Sequence, residues 1–249
     1  MRHWVVLPAY DEAPRLPALL GRWREVLDVL AEPATVVVVD DGSRDGTGAL
    51  LAAEAARDPR LVVLTHERNL GLGRTLHDGL RYAIERGAPG DRVVVMDGDN
   101  THPPELYPVM LARQDALDAD VVIASRYRAG AQVHDLEAYR AVLSLGARLL
   151  FQALCPIPGV RDYTCGYRLY RHEILARAQA RYGEALIDRD GFESMADLLL
   201  KLHAVGARCA EVPLTLEYGH KRGASRMNVG RTTRRALALL LEHRLGRRP

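Results

Sequence analysis

The chain has 249 residues, 48% of them hydrophobic, which is enough to bury one large core, and its net charge of +2 gives no sign of a nucleic-acid partner. Its three cysteines are scattered and odd in number, which argues against a disulfide framework and against a zinc site. No apolar run approaches the ~20 residues of a membrane span, and without a signal peptide the sequence predicts a soluble, reduced, cytoplasmic protein.

Strands and helices alternate through the first half of the chain. We predict strands at Trp4–Leu7, Thr35–Val39, Leu61–Leu64, Arg92–Met96 and Asp120–Ala124, and helices at Leu16–Leu30, Asp45–Arg57, Leu72–Arg86 and Pro103–Leu117. Alternation at these lengths predicts an α/β fold whose mostly parallel sheet is flanked by helices on both faces.

The second half is less regular. We predict helices at Leu136–Leu154 and Phe192–Val205, a short strand at Gly166–Tyr170, an extended segment at Cys209–Leu216 and a basic helix at Val229–Leu245. No linker divides the chain, so we expect one domain over residues 1–249. Its first part (1–125) would bind one ligand, its second part (126–228) would shape another site, and the basic helix (229–249) would follow.

Polar residues follow three of the predicted strands at the point where each strand ends. The first strand is followed by Tyr10-Asp11-Glu12, the second by Asp40-Asp41-Gly42-Ser43 and the fourth by Asp97-Gly98-Asp99. The carboxyl ends of parallel strands form the crevice where open α/β sheets bind ligands. Asp97 and Asp99 repel each other unless a cation lies between them. A divalent cation that also contacts a substrate diphosphate would relieve that repulsion.

A purely structural interpretation competes with this one, because Asp and Gly are ordinary turn formers. We favour turns for Gly42, Ser43 and Asp45, and a functional role for Asp41 and the later acidic pair, since three strands repeat the pattern. A Rossmann dinucleotide site is disfavoured, because it needs Gly-x-Gly-x-x-Gly at the start of the first helix. A Walker motif is absent.

Several motifs of a known enzyme family occur in order along the chain. They are Leu7-Pro-Ala-Tyr-Asp-Glu12, Val39-Asp-Asp-Gly-Ser-Arg-Asp-Gly-Thr47, Asn69-Leu-Gly-Leu-Gly73, Asp97-Gly-Asp99 with His102-Pro-Pro104, and Ser125-Arg-Tyr127. With these motifs the chain resembles the inverting family 2 glycosyltransferases of the GT-A fold. Asp162-Tyr-Thr-Cys-Gly-Tyr-Arg168, Glu211-Val-Pro213 and Arg222-Gly-Ala-Ser225-Arg226 resemble its dolichol-phosphate (polyprenyl-phosphate) mannosyltransferase branch. The resemblance covers about residues 3–230.

The resemblance implies a nucleotide-sugar site in residues 1–125. The residues implied to bind the donor are Pro8, Tyr10, Glu12, Asp41, Asp97 and Gly98. It implies Asp97 and Asp99 as ligands of Mg²⁺ or Mn²⁺, which would neutralise charge on the leaving nucleotide. Thr101 stands where the branch often has Gln, so the third metal ligand stays open.

The resemblance also implies a polyprenyl-phosphate acceptor, bound in residues 126–228. Its phosphate is anionic at neutral pH and needs cationic positioning more than a general base. The residues implied at this phosphate are Arg126, Arg222, Ser225 and Arg226, with a solvated basic loop as the alternative for the last three. Asp99, Arg126 and Asp197 are implied to be catalytic, Asp197 because it stands where the branch has a Glu.

Two alternatives stay open. The acceptor could be a glycan or small-molecule hydroxyl, or the donor UDP-glucose, and a hydroxyl acceptor would need a carboxylate base such as Asp197. The protein could also be a catalytically silent nucleotide-sugar-binding partner, against which the intact acidic pair argues.

The basic C-terminal segment has two interpretations. Between Lys221 and Arg248 there are nine Lys or Arg residues and one acidic residue, Glu242, around the apolar run Ala236–Leu241. A basic helix with an apolar face can lie on an anionic membrane surface, which would place the protein peripherally on the cytoplasmic side. The same residues can instead form a terminal helix that packs its leucines on the fold.

Overall fold

The structure is a computed structural model that describes residues 1–134, 138–191, 193–217, 235, 238–240 and 242–243. Its strands in these ranges are β1 (His3–Ala9), β2 (Ala34–Asp40), β3 (Leu61–Thr65), β4 (Arg92–Val95), β5 (Val121–Ser125), β6 (Gln132–His134), β7 (Arg168–Arg171), β8 (Cys209–Pro213) and β9 (Thr215–Glu217). Its helices there are α1 (Leu16–Leu30), α2 (Thr47–Ala55), α3 (Leu72–Arg86), α4 (Tyr107–Ala116), α5 (Ala138–Leu154), α6 (His172–Tyr182) and α7 (Glu193–Ala204), with 3-10 turns at Pro104–Leu106 and Gly183–Ile187.

The centre of the molecule is a seven-stranded sheet in the order β3-β2-β1-β4-β7-β5-β8. Strand β7 runs antiparallel to both β4 and β5, and the other pairs in this sheet are parallel. Strands β6 and β9 form a separate parallel pair. The predicted mostly parallel sheet flanked by helices is therefore confirmed, with one reversed strand that comes from the second half of the chain.

The core forms because the central strands are continuous apolar runs. Val36–Val39 in β2 are buried on both faces of the sheet, as in parallel sheets that are covered on both sides. Helix α3 packs closely on β1 and β2 at Gly79, where a Cβ atom would lie 2.5 Å from Val6 Cγ1. A single hydrophobic cluster extends from Trp4 near the amino terminus to Leu240.

Helix α1 is anchored by a fully buried tryptophan. The Trp23 ring packs edge-to-face on Tyr107 at the start of α4, with the ring centroids 5.5 Å apart. The Tyr107 hydroxyl lies 2.7 Å from His3 Nδ1, so this ring also reaches β1. Replacing Trp23 with Ala would remove a large buried side chain at a cost of about 3–5 kcal/mol.

Several boundaries differ from the sequence predictions. Helix α2 begins at Thr47 instead of Asp45, because Gly46 has a φ of 92° and the Asp45 carboxylate accepts a hydrogen bond from the Thr47 amide. The segment predicted as one helix from Pro103 begins as a 3-10 turn before α4. Helix α6 and strand β6 were not predicted.

Candidate active site

The carboxyl ends of β1, β2 and β4 lie side by side. The Asp41 amide donates to Ala9 O (2.9 Å), and the Gly98 amide donates to Pro8 O (3.1 Å). A Cβ atom at position 98 would lie 2.6 Å from Pro8 O, so only glycine fits this close approach. The structure thus brings Pro8, Asp41 and Gly98 to one edge of the sheet, where open α/β sheets bind ligands.

Asp97 and Asp99 follow β4 at this edge. The Asp97 side chain is 38% exposed, and Asp99 Oδ1 accepts hydrogen bonds from the Thr101 hydroxyl (2.6 Å) and amide (3.2 Å). The described part of the chain contains no group of three His, Cys, Asp or Glu that could hold a metal. Two carboxylates nevertheless suit Mg²⁺ or Mn²⁺, because Mg²⁺ commonly takes one or two protein carboxylates and completes its shell with substrate phosphates and water.

The loop after β1 is tied to the loop after β2. The Asp11 amide donates to Ser43 Oγ (2.8 Å), and the Glu12 amide donates to Thr47 Oγ1 (3.0 Å). Asp45 accepts from the Ala13 amide on one side and from Thr47 on the other. Burial raises the pKa of Asp45, but these hydrogen bonds outweigh it and lower the pKa below its usual value.

Tyr10 and Glu12, both expected at the nucleotide, lie in this braced loop. Both side chains are half-buried, and Glu12 forms an ion pair with Arg15 at 2.6 Å. Asp11 has a φ of 53°. The left-handed backbone there turns the chain from β1 toward α1, so the loop is held in one shape beside Asp41.

Asp41 is almost fully buried and organises the loop that precedes α3. Its carboxylate accepts hydrogen bonds from the Leu70 amide (2.8 Å) and the Gly71 amide (2.9 Å). His66 Nδ1 lies 2.7 Å from Asp41 Oδ1, and His66 Nε2 lies 3.0 Å from Asp78 Oδ2. A carboxylate has about four lone-pair sites, so three contacts leave Asp41 room for one more donor. The sequence analysis did not predict that His66 would bridge Asp41 and Asp78.

A segment from the second half covers the same loop. The Gly73 amide donates to Asp190 O (3.3 Å), and a Cβ atom at position 73 would lie 1.5 Å from Arg189 O. Gly71 has a φ of 94°. The two glycines of Gly71-Leu-Gly73 therefore allow the backbone of residues 189–190 to contact the loop before α3.

Arg126 is fixed by a buried carboxylate. Its Nε and Nη2 each donate to Asp162 at 2.8 Å, and Nη2 also donates to Thr164 Oγ1 at 2.6 Å. Burial opposes the charge on Arg126, but the Asp162 carboxylate outweighs it and raises the pKa of the guanidinium well above its usual value. For Asp162 burial raises the pKa, and Arg126 more than offsets this, so the pKa is lowered.

A second carboxylate supports Asp162 from β8. Glu211 Oε1 accepts hydrogen bonds from the amides of Arg161 (2.6 Å) and Asp162 (2.7 Å), while Oε2 lies 2.8 Å from Arg128 Nε. Glu211 is itself buried. The two motif residues Asp162 and Glu211 thus form a chain of contacts that ends at the guanidinium of Arg126.

His102 lies between the acidic pair and the Arg126 cluster. Its Nδ1 is 4.0 Å from Asp97 Oδ2, and its Nε2 is 3.9 Å from Cys165 Sγ. Burial lowers the pKa of His102, although the charges of Asp97 and Asp99 oppose this, and burial raises the pKa of the Cys165 thiol to about 12. A Cβ atom at Gly166 would lie 3.1 Å from Asp97 Oδ1. The loop that carries Asp162 therefore contacts the predicted metal ligand Asp97.

Asp197 lies in α7 and is buried in an ion pair. Its Oδ2 is 2.6 Å from Lys201 Nζ, one turn later in α7, and its Oδ1 is 3.2 Å from His243 Nε2. Lys201 also donates to Ala185 O (2.5 Å) and Asp188 Oδ1 (3.1 Å). These contacts join α7 to the preceding turn and to His243; the catalytic role expected for Asp197 stays a prediction.

The remaining predicted residues fall largely outside the described part of the chain. The structure does not describe Arg222, Ser225 or Arg226, or most of the predicted helix at Val229–Leu245. Two leucines of that helix are described, and both Leu239 and Leu240 are buried in the main core. Their burial agrees with the interpretation in which this segment packs on the fold. In the described residues no helix combines the length and the hydropathy that a membrane span needs.

Comparisons with known proteins agree with this geometry. Residues 4–178 match the family model described as Glycosyl transferase family 2. The chain is 33% identical over 230 residues to an undecaprenyl-phosphate mannosyltransferase from Micrococcus luteus, covering 92% of this chain and 89% of that protein. It is 34% identical over 242 residues to a polyprenol monophosphomannose synthase from Mycolicibacterium smegmatis, covering 97% and 86%.

Solved structures show the same fold. Glucosyl-3-phosphoglycerate synthase from Mycobacterium tuberculosis, in complex with Mn²⁺, uridine diphosphate and phosphoglyceric acid, matches with a TM-score of 0.68 and 22% identity over 98% of this chain and 78% of that one. A complex of the same enzyme with Mg²⁺ and uridine diphosphate matches with a TM-score of 0.68 over 98% and 79%. The GT-A architecture expected from the motifs is confirmed.

Proposed function

This chain belongs to glycosyl transferase family 2, and on that premise we propose that it transfers mannose from GDP-mannose to the phosphate of a polyprenyl phosphate. The observation that carries the proposal is the placement of Arg126. It is fixed by a buried carboxylate in a loop that contacts Asp97, one member of the acidic pair. The two mannosyltransferases at 33% and 34% identity, named for undecaprenyl phosphate and polyprenol, support the choice of sugar and acceptor.

Residues 1–125 form the proposed donor half. Pro8, Tyr10 and Glu12 would line the nucleotide pocket, and the open lone pair of Asp41 would accept an N–H of the base. Asp97 and Asp99 would hold Mg²⁺ or Mn²⁺, which neutralises charge on the diphosphate as it leaves. The complexes of glucosyl-3-phosphoglycerate synthase with Mn²⁺ or Mg²⁺ and uridine diphosphate support a divalent metal in this fold.

Residues 126–228 form the proposed acceptor half. Asp162 and Thr164 occupy the Nε and Nη2 donors of Arg126, whereas Nη1 has no hydrogen-bond partner among the described residues. A guanidinium carries five N–H donors in a fixed fork, so the Nη1 hydrogens can grip a phosphate without loss of the Asp162 contact. We include Arg222, Ser225 and Arg226 as further phosphate ligands on the strength of their motif.

The proposed reaction is a single displacement. An oxygen of the acceptor phosphate attacks the anomeric carbon while the bond from that carbon to the diphosphate breaks, which inverts the configuration. The attacking oxygen is already an anion at neutral pH, so no proton has to be removed. The residues of this chain contribute position and charge, which is the main source of catalysis when both reactants are bound in line.

A hydroxyl acceptor fits the described geometry less well. It would need a base within hydrogen-bond reach of the hydroxyl. The candidate was Asp197, and that carboxylate is buried against Lys201. We therefore propose that Asp197 stabilises α7.

We also propose that the enzyme acts peripherally at the cytoplasmic face of the membrane, where nucleotide sugars and lipid phosphates meet.

Arg126→Gln tests the acceptor assignment. Loss of charge-assisted hydrogen bonds worth about 1.5–3 kcal/mol should lower kcat/KM for a short polyprenyl phosphate by about 10- to 100-fold. The KM for GDP-mannose should stay within about twofold, because the proposal assigns Arg126 to the acceptor and not to the donor. The matched control is Arg113→Gln, which removes an arginine from the surface of α4. The proposal would be contradicted if the wild type were as active on the corresponding polyprenol as on the polyprenyl phosphate. Acceptor kinetics that stay unchanged in Arg126→Gln would contradict it as well.

A further inference from the structure

His66 follows β3 and lies between two carboxylates. Its Nδ1 is 2.7 Å from Asp41 Oδ1, and its Nε2 is 3.0 Å from Asp78 Oδ2. The His66 side chain is only 10% exposed, so both contacts are largely shielded from water. A rotation of the ring would break both contacts at once, so its plane is fixed. His66 thus connects α3, which carries Asp78, to the end of β2, which Asp41 follows.

Both ring nitrogens of His66 face hydrogen-bond acceptors. Asp41 accepts a backbone amide at each of its oxygens, and Asp78 accepts from Arg74 Nε at 2.8 Å. Burial raises the pKa of Asp78, but hydrogen bonds from His77 and Arg74 outweigh it and lower the pKa. A neutral imidazole can donate from only one of its nitrogens. The geometry therefore fits the imidazolium form of His66, which donates to both carboxylates.

These contacts determine which lone pair of Asp41 stays open. Oδ1 accepts from the Leu70 amide (2.8 Å) and from His66 Nδ1, which occupies both of its lone-pair sites. Oδ2 accepts from the Gly71 amide (2.9 Å) and has one site left among the contacts of the described residues. If the His66 contact were lost, Oδ1 would also have an open site, and the carboxylate would lose one of its three fixed contacts.

The backbone around His66 is held independently of its side chain. The His66 amide donates to Asp40 O at 2.9 Å. A Cβ atom at Gly42 would lie 2.5 Å from the carbonyl carbon of Arg68, so the loop after β3 packs directly on the loop after β2. A substitution of the His66 side chain should therefore change the contact with Asp41 while the loop keeps its place.

We propose that His66 is a positioning residue of the donor site, which holds the Asp41 carboxylate so that Oδ2 offers one open lone pair to an N–H of the nucleotide base. Asp78 holds the other side of the imidazole and so fixes His66 itself. This inference rests on the proposed function, which assigns Asp41 to the base. Guanine and uracil each carry a ring N–H, so a carboxylate held in this way can accept from either base.

The test is the binding of GDP to the full chain by calorimetry, with His66→Asn and His66→Leu as a matched pair. The two new side chains have the same branched shape, but only the Asn amide can donate to Asp41 from the position of Nδ1. We expect His66→Leu to raise the Kd for GDP about tenfold, as for the loss of one hydrogen bond to a charged group, and His66→Asn to stay within about threefold.

The control is His203→Leu in α7. His203 is half-buried, and its Nδ1 has no hydrogen-bond partner among the described residues. The Kd of this variant for GDP should stay within about twofold of the wild type, because the substitution removes no side-chain hydrogen bond from Nδ1. A single cooperative thermal transition in each variant shows that the variants fold.

Two further measurements exclude a merely structural effect of His66. The loss of affinity in His66→Leu should be the same with and without Mg²⁺, because His66 acts on the base and not on the diphosphate. In steady-state assays the KM for GDP-mannose should rise with the Kd, while kcat and the KM for polyprenyl phosphate stay within about twofold.

The inference would be overturned by equal losses of affinity in His66→Asn and His66→Leu, by no loss in either, or by a loss that appears only with Mg²⁺. A wild type that binds UDP instead of GDP refutes the GDP-mannose donor, and the same matched pair then decides the inference with UDP. A wild type that binds neither nucleotide refutes both. If the matched pair behaves as expected but no glycolipid forms, the polyprenyl-phosphate acceptor alone is refuted.

Discussion

Asp162→Asn perturbs the contact on which the proposed acceptor site depends. Asp162 is fully buried, Arg126 is 20% exposed, and the carboxylate accepts from the Arg126 Nε, Nη2 and backbone N. An amide of the same shape leaves the guanidinium with no counter-charge and directs an N–H toward a donor. Removing one partner of a buried ion pair costs about 3–5 kcal/mol. For a domain of this size that corresponds to a fall in Tm of about 6–20 °C.

The same substitution should change kinetics selectively. Without Asp162 the guanidinium of Arg126 loses its fixed orientation, so the KM for polyprenyl phosphate should rise about tenfold or more while the KM for GDP-mannose changes little. The measurements are a thermal unfolding curve and steady-state kinetics with each substrate varied in turn. A Tm within about 2 °C of the wild type, or donor and acceptor KM values that rise together, would refute the role assigned to Asp162.

The dependence of stability on pH gives an independent check on this pair. The pKa of Asp162 is lower in the folded protein than in the unfolded chain. Its stabilisation is therefore complete above the unfolded pKa of about 4 and is lost as pH falls through the folded pKa. The gap in unfolding free energy between wild type and Asp162→Asn should thus be constant from pH 7 to about 5 and narrow below about pH 4. Glu85→Gln, which removes an exposed contact with Arg81, is the control and should leave the unfolding curve unchanged.

Two further predictions follow from the packing. Gly73→Ala places a methyl group against Arg189 O, so we expect urea unfolding to show a destabilisation of about 1–3 kcal/mol or more. The variant should also bind the nucleotide more weakly. An unchanged unfolding curve would mean that residues 189–190 do not cover this loop. Cys165 is buried, which raises the pKa of its thiol to about 12, whereas Cys155 is half-buried. At pH 8 a thiol reagent should therefore modify Cys155 in the native protein and reach Cys165 only after denaturation. Rapid modification of Cys165 in the native protein would contradict its burial.

The sequence predicts the fold of residues 1–125 well because its signals are local. A buried parallel strand such as β2 is an unbroken run of valines, and a helix such as α3 repeats apolar residues at a fixed spacing. Asp97 and Asp99 follow such a strand directly, so their place at the edge of the sheet follows from the alternation alone. The reversed direction of β7 does not follow from the sequence, because a four-residue strand carries no signal of its orientation.

Helix α6 was missed although a signal existed. Ile174, Leu175 and Ala178 have helical spacing and are all buried, but the helix is only 11 residues long.

The packing around Arg126 depends on contacts between residues far apart in sequence. Asp162 and Arg126 are separated by 36 residues, and Glu211 reaches Asp162 across 49, so no local pattern reveals their pairing. For Asp197 a local signal was available. Lys201 stands four residues later within a run of leucines, and opposite charges at that spacing on an apolar helix indicate a buried pair.

The most direct measurement is the mass of the product formed from GDP-mannose and a short polyprenyl phosphate in the presence of Mg²⁺ or Mn²⁺, with UDP-glucose and Asp99→Asn in parallel reactions. The account predicts a polyprenyl phosphate heavier by one hexose, formed from GDP-mannose and absent with the variant or without metal. Metal-dependent release of free nucleotide with no glycolipid would contradict the lipid acceptor. A glycolipid formed equally well by Asp99→Asn would contradict the acidic pair as the metal site.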